Sequence, residues 1–154
     1  GVFVNPTLHQ SRERIWQLED KRQYERLDGS EQGELDELQF TQDLRFDHVS
    51  RMRADGVKLV CGSDSAWSYY KMGAFQDEIE AHVQVGMLPT QAIFSATGDS
   101  ARSCWIDGEV GTLESGKLAD LLVVDGDPSE DISVLKKVVD VFQGGKLVDR
   151  GNYV

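Results

Sequence analysis

The chain is poor in histidine, proline, cysteine and positive charge: of 154 residues 3 are His, 3 Pro and 2 Cys, and 16 Lys and Arg face 27 Asp and Glu. The resulting net charge of −11 argues against a nucleic-acid partner, which needs a basic surface to neutralise phosphates. Solubility alone accounts for an acidic balance of this kind. No apolar run approaches the ~18–20 residues of a membrane-spanning helix, so no membrane partner is expected. Cys61 and Cys104 lie far apart without a CxxC, and nothing resembles a secreted disulfide scaffold. His9, His48 and His82 form neither HxH nor HExxH, so there is no local zinc signature. The glycine-rich segments lack GxxxxGK[ST] and GxGxxG, which leaves a phosphate cradle unsupported. The amino-terminal GVFVNPTL has no basic stretch ahead of an apolar core and so gives no targeting address.

What is present suits a folded domain. The chain is 40% hydrophobic and 28% charged, and its length fits roughly one domain of about 100–200 residues. Residues 1–6 are β-rich and end at Pro6, which predicts a short strand. A polar stretch over residues 9–27 suits a helix by propensity, with Ile15, Trp16, Leu18, Tyr24 and Leu27 as its apolar contacts. Asp28-Gly29-Ser30 breaks it. A second helix is predicted over 34–54, because Leu35, Leu38, Phe46, Val49 and Met52 fall within about 120° of arc. Phe40 and Leu44 face the other way, so this helix is expected to touch two surfaces. Asp55-Gly56 ends it and residues 57–61 form an apolar strand, the return half of an α/β unit. Helices over 75–85 and 90–104 follow, and from residue 107 short apolar runs between glycines indicate a small β-rich unit.

The stretch VKLVCGSDSAW, residues 57–67, places Asp64 directly after the second strand. CGSDS is not the GxSxG nucleophile elbow. Two readings of Asp64 stand side by side. A turn or helix-cap aspartate accepts backbone N–H groups. Equally, a carboxylate at the C-terminal end of a parallel strand sits where α/β enzymes place their chemistry, as metal ligand or general base. His48 and His82, in predicted helices, read as surface or packing residues.

The segment GTLESGKLADLLVVDGDP, residues 111–128, closely resembles the carboxy-terminal signature of the metal-dependent amidohydrolase superfamily, in its imidazolonepropionase-like and Xaa-Pro dipeptidase-like branch. Other pieces follow in the same order. GVFVNPTL resembles the seventh barrel strand and GVKLVCGSD, residues 56–64, the eighth with its Gly-[Ser/Thr]-Asp ending. Glu78-Ile79-Glu80 through Val85-Gly86-Met87-Leu88-Pro89 resembles the next helix and its exit, and Ala96-Thr97 with Ala101 the helix after that. The implied fold is α/β: the C-terminal part of a TIM-like (β/α)8 barrel, its last two β/α units, over residues 1–106, followed by part of a small β-sandwich domain over 107–154.

The resemblance implies that Asp64 binds a catalytic metal and takes a proton from the attacking water. Trp67, Tyr69 and Tyr70 would line the substrate pocket. Ser63 stands where Thr is usual, keeping the hydroxyl, and Leu88 replaces a common capping Thr. The superfamily's other ligands, an HxH, a carboxylated lysine or acid, and further histidines, have no matching positions here. The expectation is therefore the carboxy-terminal portion of an enzyme that hydrolyses a C–N bond in a small amide, peptide or cyclic amide or amidine. It would use a divalent metal, zinc in first place, of which this chain alone would bind little or none. Its partner would be the missing amino-terminal barrel portion or a second copy, needed also to cover Val2, Val4, Leu59 and Val60. The alternative from another class is a non-catalytic assembly module, with Asp64 a turn residue.

Overall fold

A computed structural model describes residues 1–65 and 72–151. The element order is β1 (Phe3–Val4), α1 (Arg12–Tyr24), α2 (Gly29–Ala54), β2 (Lys58–Leu59), α3 (Phe75–Gln84), α4 (Pro89–Ala96), α5 (Gly98–Ser103), β3 (Leu121–Val124), a 3-10 turn (Ile132–Lys136), β4 (Val138–Gln143) and β5 (Lys146–Leu147). The architecture is α/β. β1 and β2 pair in parallel, Phe3 opposite Lys58 and Val4 opposite Leu59, and the Val60 N–H extends the ladder to the Val4 carbonyl at 2.9 Å. Among the described residues no helix is long and apolar enough to cross a membrane.

The α1–α2 hairpin is closed by charge as well as by apolar packing. Ile15, Leu18, Leu27 and Leu35 form one buried cluster, joined by Leu38. Above it Arg14 grips Glu34 with two bonds of 2.9 and 2.7 Å, and Lys21 meets Glu31 at 2.6 Å. Tyr24 is exposed and Trp16 half-buried, so the apolar contacts of α1 are fewer than its composition suggests. α2 begins at Gly29, five residues before the expected start. The cause is Asp28: its Oδ1 accepts the Ser30 and Glu31 N–H groups while Glu31 Oε2 accepts the Asp28 N–H, a complete capping box. Asp28-Gly29-Ser30 therefore start α2, while α1 has already ended at Tyr24. On α2 the Leu35/Val49 face is buried as its periodicity requires, but Phe40 and Leu44 are exposed, and no second contact surface is made among the described residues.

A second cluster, Leu8, Val49, Leu59, Ala81 and Val85, packs α2 and α3 against the parallel pair. Leu59 is buried there with Val4 packed against it, Val60 is buried as well, and Val2 is exposed. A third cluster joins Cys61, Ile79 and Ala92 to Leu135 of the 3-10 turn, with Val124 and Ile132 against it. The apolar core thus runs from the helices into the β-rich segment. Lys136 reinforces that junction, bonding Asp77 at 2.6 Å and Glu80 at 2.9 Å.

The single helix expected over 90–104 is two. Its start has no side-chain cap at Leu88, although Gln91 Oε1 accepts the Leu88 N–H at 3.0 Å. It stops at Thr97 because the Ser95 carbonyl is taken by Ser100 Oγ (2.6 Å) and by the Cys61 N–H (3.4 Å), bonds that a continuous helix would not leave free. Beyond, β3, β4 and β5 form an antiparallel sheet in that order, with a bulge between Val123 and Val124. The β4–β5 hairpin turns on Gly144-Gly145, both at positive φ, as a two-residue loop of this twist needs. A second sheet to complete a sandwich is absent among the described residues.

Candidate functional site

The C-terminal ends of β1 and β2 lie side by side, and each leads into a left-handed residue. Thr7 has φ 45° and Asp64 φ 47°. Non-glycine residues rarely adopt this region, and such strain gathers at functional sites. Gly62 is where the two ends touch: a Cβ there would stand 2.8 Å from Asn5 Cγ, so a larger residue would have to displace the Asn5 side chain. Asp64 follows at the surface, exposed. Its Oδ2 lies 3.5 Å from Gln10 Nε2, the long limit of a hydrogen bond, and Ser63 Oγ accepts the Ser65 N–H at 3.3 Å. Among the described residues its partner is Gln10; the amides two and three residues on, which a turn or cap aspartate would accept, lie outside the described residues. Trp67, Tyr69 and Tyr70 lie outside the described residues.

Behind this surface is a buried polar line that single-residue reasoning did not find. Glu78 of α3 is fully buried, and its oxygens accept the N–H groups of Leu8 (2.9 Å) and His9 (2.6 Å) across about seventy residues of chain. His82, one turn on, brings Nε2 within 3.3 Å of Glu78 Oε1. Ser95 Oγ donates to the Ala92 carbonyl at 2.8 Å and turns its lone pairs to His82 Nδ1 (3.4 Å) and Cys61 Sγ (3.2 Å). Burial pushes the Cys61 thiol up to about 12, so it is a packing group and not a nucleophile. Cys104 is exposed, and both thiols are free.

His9 is fully buried with Nε2 3.6 Å from Asp77 and its ring 5.3 Å from that of Trp16. Burial lowers its pKa in spite of the neighbouring Asp77 carboxylate. Arg12, above the Trp16 ring, is likewise drawn down by burial. His48 is exposed on α2.

No group of three or more His, Cys, Asp or Glu able to hold a metal occurs among the described residues. A catalytic zinc takes about three protein ligands. Asp64 has the chemistry of one, so the described residues do not by themselves fit such a centre.

The sequence matches the Amidohydrolase family over residues 44–148, and the chain belongs to that family. It is similar to a 5-methylthioadenosine/S-adenosylhomocysteine deaminase of Moorella thermoacetica, 35% identical over an 85-residue alignment that covers 50% of this chain and 20% of that protein. Among solved structures it is similar to a Xaa-Pro dipeptidase with methionine bound in the active site, with a TM-score of 0.75 and 30% identity over 97% of this chain and 35% of that one. It is also similar to the A. niger ochratoxinase, with a TM-score of 0.68 and 26% identity over 96% of this chain and 32% of that one. The chain thus spans about a fifth of the curated relative and about a third of these structures.

Proposed function

We propose that this chain is the carboxy-terminal portion of a metal-dependent amidohydrolase that hydrolyses a C–N bond in a small amide, peptide or cyclic amide or amidine. The carrying observation is Asp64: an exposed carboxylate, in a left-handed conformation, a few residues beyond the C-terminal end of parallel strand β2 in a chain of this family. In this reading Asp64 is one metal ligand and the acceptor of the water's proton. A bound divalent metal, zinc in our proposal, would supply a water acidified toward ~7. The remaining ligands would come from an amino-terminal barrel portion or a second copy. Residues 65–73, with Trp67, Tyr69 and Tyr70, would shape the substrate pocket.

Two measurements test this. In the full-length polypeptide, Asp64→Asn is expected to lower kcat by about 100-fold or more, the loss typical of a proton acceptor, and to weaken zinc binding. The purified 154-residue chain is expected to hold less than stoichiometric zinc and to hydrolyse no amide. Stoichiometric zinc with turnover in that chain, or full activity in Asp64→Asn, would overturn the reading and favour a different use of the fold.

A further inference from the structure

Glu78 carries more than a packing role requires. A carboxylate removed from water costs several kcal/mol unless its oxygens are bonded. A helix that only had to cover the core would present an apolar group there, as α3 does at Ile79, Ala81 and Val85. Glu78 instead spends both oxygens on consecutive N–H groups of the segment after β1, Leu8 and His9, which sit between the strained Thr7 and Gln10. Leu8 is itself locked in the core with Val49 and Leu59. Two bonds from one carboxylate to successive amides leave that segment a single placement, and Gln10 is the residue that reaches Asp64. On its other side Glu78 stands 3.3 Å from His82 Nε2 without a hydrogen bond, and His82 Nδ1 meets Ser95, which contacts Cys61, three residues before Asp64. The segment after β1, which carries Gln10 to Asp64, is therefore referenced to one buried carboxylate.

We propose that Glu78 is a positioning residue: by holding the Leu8 and His9 amides it places the Gln10 side chain, which in turn orients the Asp64 carboxylate. The inference rests on the reading that Asp64 does chemistry, and its test separates the two. Glu78→Gln, Gln10→Ala and Asp64→Asn are made in the full-length polypeptide. Amide exchange over residues 7–10, zinc affinity, kcat and KM are measured for each. Glu78→Gln keeps the shape but turns one acceptor into a donor against a backbone N–H. It is expected to speed exchange over 7–10 about tenfold or more, the loss of one buried bond. It should also lower kcat about tenfold through misplacement, with KM little changed. Gln10→Ala removes only a surface-reaching amide, so it folds. It should lower kcat similarly while exchange over 7–10 stays as in the parent. Parent-like kcat in Gln10→Ala, or in a folded Glu78→Gln whose exchange has risen, overturns the proposal even if Asp64→Asn is inactive. Activity surviving in Asp64→Asn overturns the functional reading and this role with it. The exchange result, read without substrate, still tells whether Glu78 fixes the segment.

Discussion

Three glycines near the family signature separate two costs that usually come together. Gly111 and Gly116 share almost the same backbone angle, φ +95° and +94°. A Cβ on Gly116 would meet nothing within 4 Å, whereas one on Gly111 would stand 2.6 Å from Ala101 Cβ, 3.0 Å from the Thr97 carbonyl oxygen and 3.2 Å from Gly98 Cα. Those neighbours are backbone or a helix-bound methyl at the start of α5, where the Thr97 carbonyl already accepts the Ala101 N–H at 2.8 Å, so none can swing aside. Gly108 has open space and a φ outside the left-handed region. Ala at Gly108 should be neutral or stabilise by about 0.4–1 kcal/mol, because it restricts the unfolded chain. Ala at Gly116 adds about 1–2 kcal/mol of left-handed strain, for a net loss near 1 kcal/mol. Ala at Gly111 adds a further ~1–3 kcal/mol of overpacking. Urea denaturation with unchanged m-values reads the ladder directly, and each kcal/mol should move the melting temperature by about 2–4 °C. Equal losses at Gly111 and Gly116, within about 0.5 kcal/mol, would refute the steric part of the argument.

Thiol labelling at pH 8 should modify one cysteine in the native protein, Cys104, and both after unfolding, because the buried Cys61 thiol is pushed up to about 12; two fast equivalents in the native state would contradict its burial. His9 makes stability pH-dependent with a definite sign. Its folded pKa lies below the ordinary 6.5, so as pH falls past 6.5 the unfolded chain takes up the proton first and stability drops until the folded pKa is passed. The urea midpoint should fall more between pH 7 and 5.5 in the parent than in His9→Gln, and parallel profiles would remove His9 as the cause.

How much could be read without the fold varied from element to element for physical reasons. Strand and helix types follow from local periodicity, and β1, α1, α2, β2, α3, β3 and β4 fall where the patterns lead. The start of α2 was misjudged because Gly29 and Ser30 look like breakers, while the Asp28–Glu31 capping box makes them the first turn. The break at Thr97 is only partly local: Gly98 and the Ser100 hydroxyl belong to the segment itself, but the Cys61 N–H that shares the Ser95 carbonyl arrives from beyond β2. Glu78 is similar: in sequence it is one acid among many on a polar helix, and only tertiary packing brings it to Leu8 and His9.

The amino-acid order by itself determined the element types, the position of Asp64 off the second strand and the family signature, because these depend on neighbours a few residues apart. The tertiary structure alone decided that Thr7 and Asp64 are left-handed, that the Asn5 side chain packs on Gly62, and that one buried carboxylate holds the Leu8 and His9 amides from about seventy residues away. Each of these arises where groups distant in sequence compete for the same space or the same proton donor, and no local pattern records that competition.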